Sequence, residues 1–401
     1  MLHRSFVSKL AVSTFLLALP LNAAFAQDGT AVAEGLKEAL KKQSMELSWD
    51  KVSGDTSETV IEGAKLAIQD PKTPTVIPLG KLTLSGIEAT DNGGYHVDTL
   101  TTDPYEIKKD GMTLTSSPIE MGGLVIPGKD TTDPIENLML YETFDVASFA
   151  VTDESKPVFS LEDLHVEMTP PKDGAAMQFS ANVEKFSGDL TAIKDPKTQA
   201  VIKDLGYETI DGFLEAEGTW QPTDGQMAIS QYDITVNKAG TLGMTFDLGG
   251  YTLDFIKSIQ DLQKKMAAQP EGADTSAQGM AALGLMQQLT LNGVSIRFDD
   301  DSLTNKVLDY VAKQQGAKPA DIANQAKALV PLFAMQLQNP ALAQEISGAV
   351  NTYLDNPKSL EIAAKPANPV PFAMIAASAM ANPLELTKML GVKVSANEAA
   401  E

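Results

Sequence analysis

The sequence predicts an α+β fold: an extended, curved antiparallel β-sheet of two similar halves with a C-terminal helix-rich part packed on further strands. Three observations carry this expectation. From about residue 45 to 250 apolar and polar residues alternate, as in Met177, Phe179, Ala181 and Val183, the pattern of antiparallel strands with one buried face. Beyond residue 250 the period becomes helical, with Phe255, Ile259, Leu262 and Met266 in one stripe. The chain has 401 residues, 43% hydrophobic and 21% charged, without cysteine; it is long enough for a sizeable core that holds without disulfides.

Residues 1–26 read as a secretory signal peptide. His3, Arg4 and Lys9 form a basic start, Leu10 to Leu21 is mostly apolar, and Ala24-Phe25-Ala26 supplies a small-x-small site for cleavage after Ala26. Export through this leader predicts a periplasmic protein. Two β-rich halves are expected next, residues 27–165 with a leading helix and residues 166–300, then a helical and strand region over 301–401.

Val32, Leu36 and Leu40 predict the leading helix. Strand signals follow at Leu82 and Leu84, Tyr95 and Val97, Met112 and Leu114, Ile234 and Val236, and Leu242 to Leu248, separated by turns such as Asp91-Asn92-Gly93-Gly94 and Thr223-Asp224-Gly225. Blocks recur in order: Met45-Glu46-Leu47-Ser48, Lys51-Val52-Ser53-Gly54-Asp55 and Asp70-Pro71-Lys72-Thr73 match Met177-Gln178-Phe179-Ser180, Lys185-Phe186-Ser187-Gly188-Asp189 and Asp195-Pro196-Lys197-Thr198. This suggests a duplicated strand–turn–strand unit. Later, Leu289 to Asp299 reads as a strand and Ser302 as the cap of a helix carrying Leu303, Val307, Tyr310 and Val311. Ile322, Ala326, Leu329, Phe333 and Leu337 form a stripe kinked at Pro331, and Leu342, Ile346, Val350 and Tyr353 another. Asn-Pro pairs at 339, 356, 368 and 382 punctuate this region, Asn356-Pro357 as a stop before the strand at Leu360.

Composition narrows the chemistry. Without cysteine there is no thiolate nucleophile or cysteine-held metal. The chain carries 53 Asp+Glu against 31 Lys+Arg, a net charge of −22, so nucleic acid is not expected as a partner. Beyond the leader Arg297 is the one arginine and His96 and His165 the only histidines. No Gly-x-Ser-x-Gly, P-loop or His-Glu-x-x-His occurs. Ser48-Trp49-Asp50-Lys51 fits Ser-x-x-Lys, but in a strand these side chains diverge. Asp299-Asp300-Asp301 lacks the alternation of a calcium loop and reads as a turn favouring the following helix start. No catalytic residue, cofactor or metal site is expected.

The stretch Gly212–Asn397 resembles uncharacterised periplasmic proteins of proteobacteria with domains of unknown function. The resemblance rests on Gly218-Thr219-Trp220-Gln221-Pro222, Leu248-Gly249-Gly250-Tyr251-Thr252-Leu253, Leu291-Asn292-Gly293-Val294-Ser295-Ile296-Arg297-Phe298-Asp299-Asp300 and Leu390-Gly391-Val392-Lys393-Val394. In strand-rich layout the chain is also loosely similar to AsmA-like envelope proteins. The resemblance implies residence in the envelope and carries over no catalytic residue.

The expected function is that of an exported non-enzymatic envelope protein that binds a lipid or other apolar ligand, or scaffolds an envelope partner. The alternatives are a hydrolase with an unrecognised site and a structural or surface-interaction protein. Methionines such as Met266, Met280, Met335 and Met380 suit a core or an adaptable greasy surface. The helical stretch 322–354, with Phe333, Leu337, Leu342, Ile346 and Tyr353, is expected to lie against the sheet and border any cleft.

Overall fold

Helix α1 (Gly29–Lys42) packs its apolar stripe on one end of a sheet of eighteen strands, seen in a computed structural model that describes residues 28–43, 45–68, 75–129, 131, 135, 137–171, 175–267, 276–337 and 339–399. The signal-peptide reading lies outside these residues. Asp28 caps α1 by accepting the Thr30 N–H, which satisfies one of the donors left free at a helix start.

Strands β1 (Met45–Ser48) and β2 (Lys51–Gly54) both line the same edge of β3 (Glu58–Ile68). The chain then winds up and down through β4 (Thr75–Ala89) and β5 (Tyr95–Thr102). Next, β6 (Tyr105–Lys109) and β7 (Met112–Ser116) form a hairpin, and β8 (Ile119–Ile126) returns beside β5. Pro104 and Pro118 separate β6 from β5 and β8 from β7, since proline cannot donate to the ladder. Strand β9 (Thr143–Asp153) pairs with both β7 and β8 along one edge.

The meander continues through β10 (Lys156–Thr169), β11 (Met177–Asp189), helix α2 (Pro196–Leu205), β12 (Thr209–Gln221), β13 (Gln226–Val236) and β14 (Gly240–Gly249). Helices α3 (Leu253–Ala267) and α4 (Ser276–Met286) lead to β15 (Thr290–Asp300). Helices α5 (Leu303–Gln315), α6 (Pro319–Ala334) and α7 (Pro340–Asp355) then precede β16 (Ser359–Ala364). The short β17 (Val370–Pro371) joins β15, and α8 (Phe372–Ala381), α9 (Pro383–Met389) and β18 (Val392–Ala396) complete the fold, with β18 beside β16. Every one of these strand pairings is antiparallel, so the α+β expectation with an open antiparallel sheet and C-terminal helices is what forms. Residues 165 and 166 both lie inside β10, so the sheet runs unbroken across the division expected there.

Local chemistry corrects several expectations. The first repeat block makes two short strands, whereas Met177–Asp189 is one continuous strand. Asp195-Pro196-Lys197-Thr198 starts a helix instead of turning between strands: Asp195 Oδ2 accepts the Thr198 N–H at 2.8 Å and Pro196 occupies the first turn. Its counterpart Asp70-Pro71-Lys72-Thr73 lies outside the described residues. Ser302 does not cap α5 with its side chain. Asp300 Oδ1 accepts the Thr304 N–H instead, at 2.8 Å, while the Ser302 hydroxyl donates to the Lys238 carbonyl.

The principal core lies under α1. Val32, Leu36 and Leu40 meet Leu47, Ile61, Leu82, Leu84, Val97, Leu124 and Ile126, all buried. Each such aliphatic side chain contributes about 1.5–3 kcal/mol on burial. A smaller core lies under α7, where Leu342 and Ala349 meet Val394.

Candidate functional site

Cross-strand partners point to the same face of a sheet, so the register reveals what the two cores share. Val146, Leu164, Val183, Leu214, Ile234, Leu242, Phe298, Leu360 and Ala396 are successive partners from β9 to β18. A neighbouring row runs Leu84, Leu100, Met121, Phe144, Val166, Ala181, Ala216 and Tyr232. Phe144 and Val146 belong to one face of β9. One apolar stripe therefore joins the α1 core, through Leu84 and Leu100, to the α7 core, through Leu360 and Ala396.

Helices cover this face at its two ends: α1 lies on β1 to β3 and β8, α7 on β16 and β18. Between them most of the stripe is half-buried, and toward β16 it opens further, with Leu242 40%, Ile296 49% and Ile362 53% exposed. Strands spaced about 4.8 Å apart make the span from β9 to β15 about 30 Å.

The floor of this trough is shaped by aromatic rings over glycines. A Cβ at Gly218 would come within 2.5 Å of the Phe179 ring and 2.6 Å of the Ala228 carbonyl. At Gly212 it would lie 2.7 Å from the Phe186 ring and 1.8 Å from the Thr235 carbonyl. The tips of both phenylalanine rings therefore reach over a glycine of the neighbouring strand, a space that any side chain there would take.

Polar chemistry sits on the other face. His165 Nδ1 is 2.6 Å from Asp145 Oδ1, and Lys185 Nζ donates to Glu162 Oε1 at 2.9 Å. That carboxylate raises the Lys185 pKa. Arg297 donates to Asp299 at 2.8 Å and to Glu361 at 3.3 Å, and the Asp299 bond foremost raises its pKa further. Asp299 is thus engaged by Arg297 and Asp300 by the start of α5. Ser48 donates to the Lys65 carbonyl at 3.5 Å, and Lys51 opens the next strand.

The expected ligand residues divide. Leu337, Leu342 and Ile346 gather on β16 and β18 in the α7 core. Tyr353 is buried at the far end of α7, its hydroxyl 2.5 Å from Thr304 Oγ1, and burial raises its pKa. Phe333 departs from expectation: it is 65% exposed on α6, which packs on α5 and α7 instead of the sheet. The helices after residue 250 do not cover the N-terminal strands either; α1 does, because it immediately precedes them and brings its own apolar stripe. Sequence reasoning identified the strand alternation but not the trough, since period two shows a face within one strand and not its alignment with the next.

A family profile described as "Uncharacterized protein" matches residues 233–397, less than half of the chain. The match falls within the Gly212–Asn397 stretch and takes in β14 to β18 with the helices between them. No curated protein matches the chain. Among the described residues no helix is long and apolar enough to cross a membrane.

Proposed function

We propose that this is an exported, non-enzymatic envelope protein that holds the acyl chain of a lipid, or a similar linear apolar ligand, along the uncovered sheet face. The uninterrupted apolar register from β9 to β15 carries the reading. A length of about 30 Å exceeds one leaflet of bilayer hydrocarbon, roughly half of a ~30 Å core, so it accommodates a single extended chain lying across the strands. The floor is made of aliphatic, aromatic and glycine positions, so recognition is by shape and desolvation. Periplasmic residence, reached by cleavage after Ala26, and the loose AsmA-like layout belong to the same proposal.

The test is mass spectrometry of small molecules that co-purify with the exported protein, together with fluorescent fatty-acid binding in solution. Ala181→Trp and Ala216→Glu obstruct the floor on adjacent strands. The expected result is an acyl lipid bound to the parent protein and lost from both variants, with unchanged circular dichroism. Retention of lipid by both variants, or no binding by the parent, sinks the reading.

A further inference from the structure

The apolar face is broader than a single acyl chain fills. Its register forms parallel rows, each two residues further along the strands than the one before. Beside the two rows already traced, a third runs Met168, Phe179, Gly218, Ile229, Phe246 and Val294 from β10 to β15. On the opposite flank a fourth runs Phe149, Leu161, Phe186, Gly212 and Val236 from β9 to β13. Gly212 stands two residues before Leu214 on β12, and the Phe186 ring reaches over it, so this row shares the apolar face.

On β12 the four rows are marked by Gly212, Leu214, Ala216 and Gly218, and at about 3.4 Å per residue they span about 20 Å. No charged side chain interrupts any of them. One flank has a fixed limit. The next row, Met177, Trp220, Met227, Leu248 and Leu291, belongs to the fold itself, because Trp220 stacks on Tyr251 and Met177, Trp220 and Leu291 are buried. The charged side chains of these strands point the other way: Glu167, Glu184, Glu215 and Glu217 are exposed on the outer face. Leu164, Ala181, Leu214 and Ile234 are only half-exposed, so side chains on the apolar face shelter one another.

Resting on the acyl-chain reading above, we propose that the ligand is a lipid with two or more acyl chains, seated side by side on these rows. Carbon atoms of neighbouring groups touch at about 3.5–4.0 Å, so a width of about 20 Å takes more than one chain. A single chain leaves the outer rows in water, and apolar area left there contributes nothing to binding. A second chain on the same molecule buries that area as an intramolecular event, at a high effective concentration. The ligand class therefore follows from the width of the face, as the chain orientation follows from its length.

Native mass spectrometry of the delipidated full exported protein counts bound oleate. Displacement of a fluorescent fatty acid then compares dioleoyl phosphatidylglycerol with 1-oleoyl lysophosphatidylglycerol, which share a headgroup and differ by one chain. The parent is expected to saturate with two or more oleates, and the diacyl lipid to displace the probe at a concentration at least about tenfold lower than the lysolipid. Val236→Trp and Ile229→Trp each fill one outer row and leave the two central rows open. Both are expected to keep the circular dichroism and at least one oleate, with a lower count and a smaller diacyl advantage. Should either variant misfold, the two lipids compared on the parent decide alone. Saturation at one oleate, equal displacement by the two lipids, or a dimer in light scattering that both variants dissociate would overturn the inference. One bound oleate and no more leaves the acyl-chain reading standing while this inference falls; no bound oleate ends both.

Discussion

At the scale of single residues, the two Ser-Gly-Asp blocks share a turn although their surroundings differ. Asp55 Oδ1 accepts from the Ser57 hydroxyl at 2.6 Å and its N–H at 2.8 Å; Asp189 Oδ1 accepts from the Thr191 hydroxyl at 2.6 Å and its N–H at 2.9 Å. Asp195 does the same with Thr198. These hydroxyl bonds, then the backbone bonds, lower all three carboxyl pKa values below 3.8. A carboxyl that is harder to protonate when folded stabilises the fold above its unfolded pKa. That contribution is lost as pH falls through the lowered folded value. Replacing all three by Asn keeps an acceptor oxygen and removes the titration. Thermal melts from about pH 5 down to pH 2 are expected to fall less steeply for the triple variant than for the parent; parallel curves would contradict the assignment.

Among the elements, α6 and α7 show which part of a helical pattern a sequence reveals. Asn339-Pro340 is legible as a helix start, and Asn339 Oδ1 does accept the Leu342 N–H, at 3.3 Å. The stripe Ile322 to Leu337 is equally regular, yet Ile322 is buried while Leu329, Leu332 and Phe333 are exposed. Periodicity identifies an apolar face and not the element that receives it. Strands have a matching limit: at Gly86, Asp98 and Gly123 the inward-facing positions step by three residues, from Leu84 to Ile87, Leu100 to Val97 and the half-buried Met121 to Leu124. Gly86 and Gly123 take the left-handed conformation there, so the alternation changes phase along one strand. The contrast within the helices is measurable. Leu342→Ala removes a side chain that is 3% exposed and is expected to cost about 2–5 kcal/mol, whereas Phe333→Ala stays within about 0.5 kcal/mol. Urea denaturation of the two variants provides the comparison, and equal losses would place Phe333 in a core.

For the whole molecule, a meander in which each strand pairs mainly with its sequence neighbours behaves as a nearly one-dimensional array. Stability then resides where a helix closes the apolar face, and the two closures are unequal: the α1 core is far larger than the α7 core. Strands β9 to β14 have neither lid, and few of their side chains are fully buried. Opening free energies in such arrays differ from place to place. Leu84 is fully buried beneath α1, so Leu84→Ala removes about 2–5 kcal/mol from that end alone. Hydrogen exchange read peptide by peptide is expected to show faster exchange throughout β3 to β8 in this variant, with β15 to β18 unchanged. An acyl lipid bound as proposed would add a lid there, so its addition is expected to slow exchange most in β9 to β14. A uniform acceleration across all strands would show instead that the sheet unfolds as a single cooperative unit, with the two ends coupled through the trough floor.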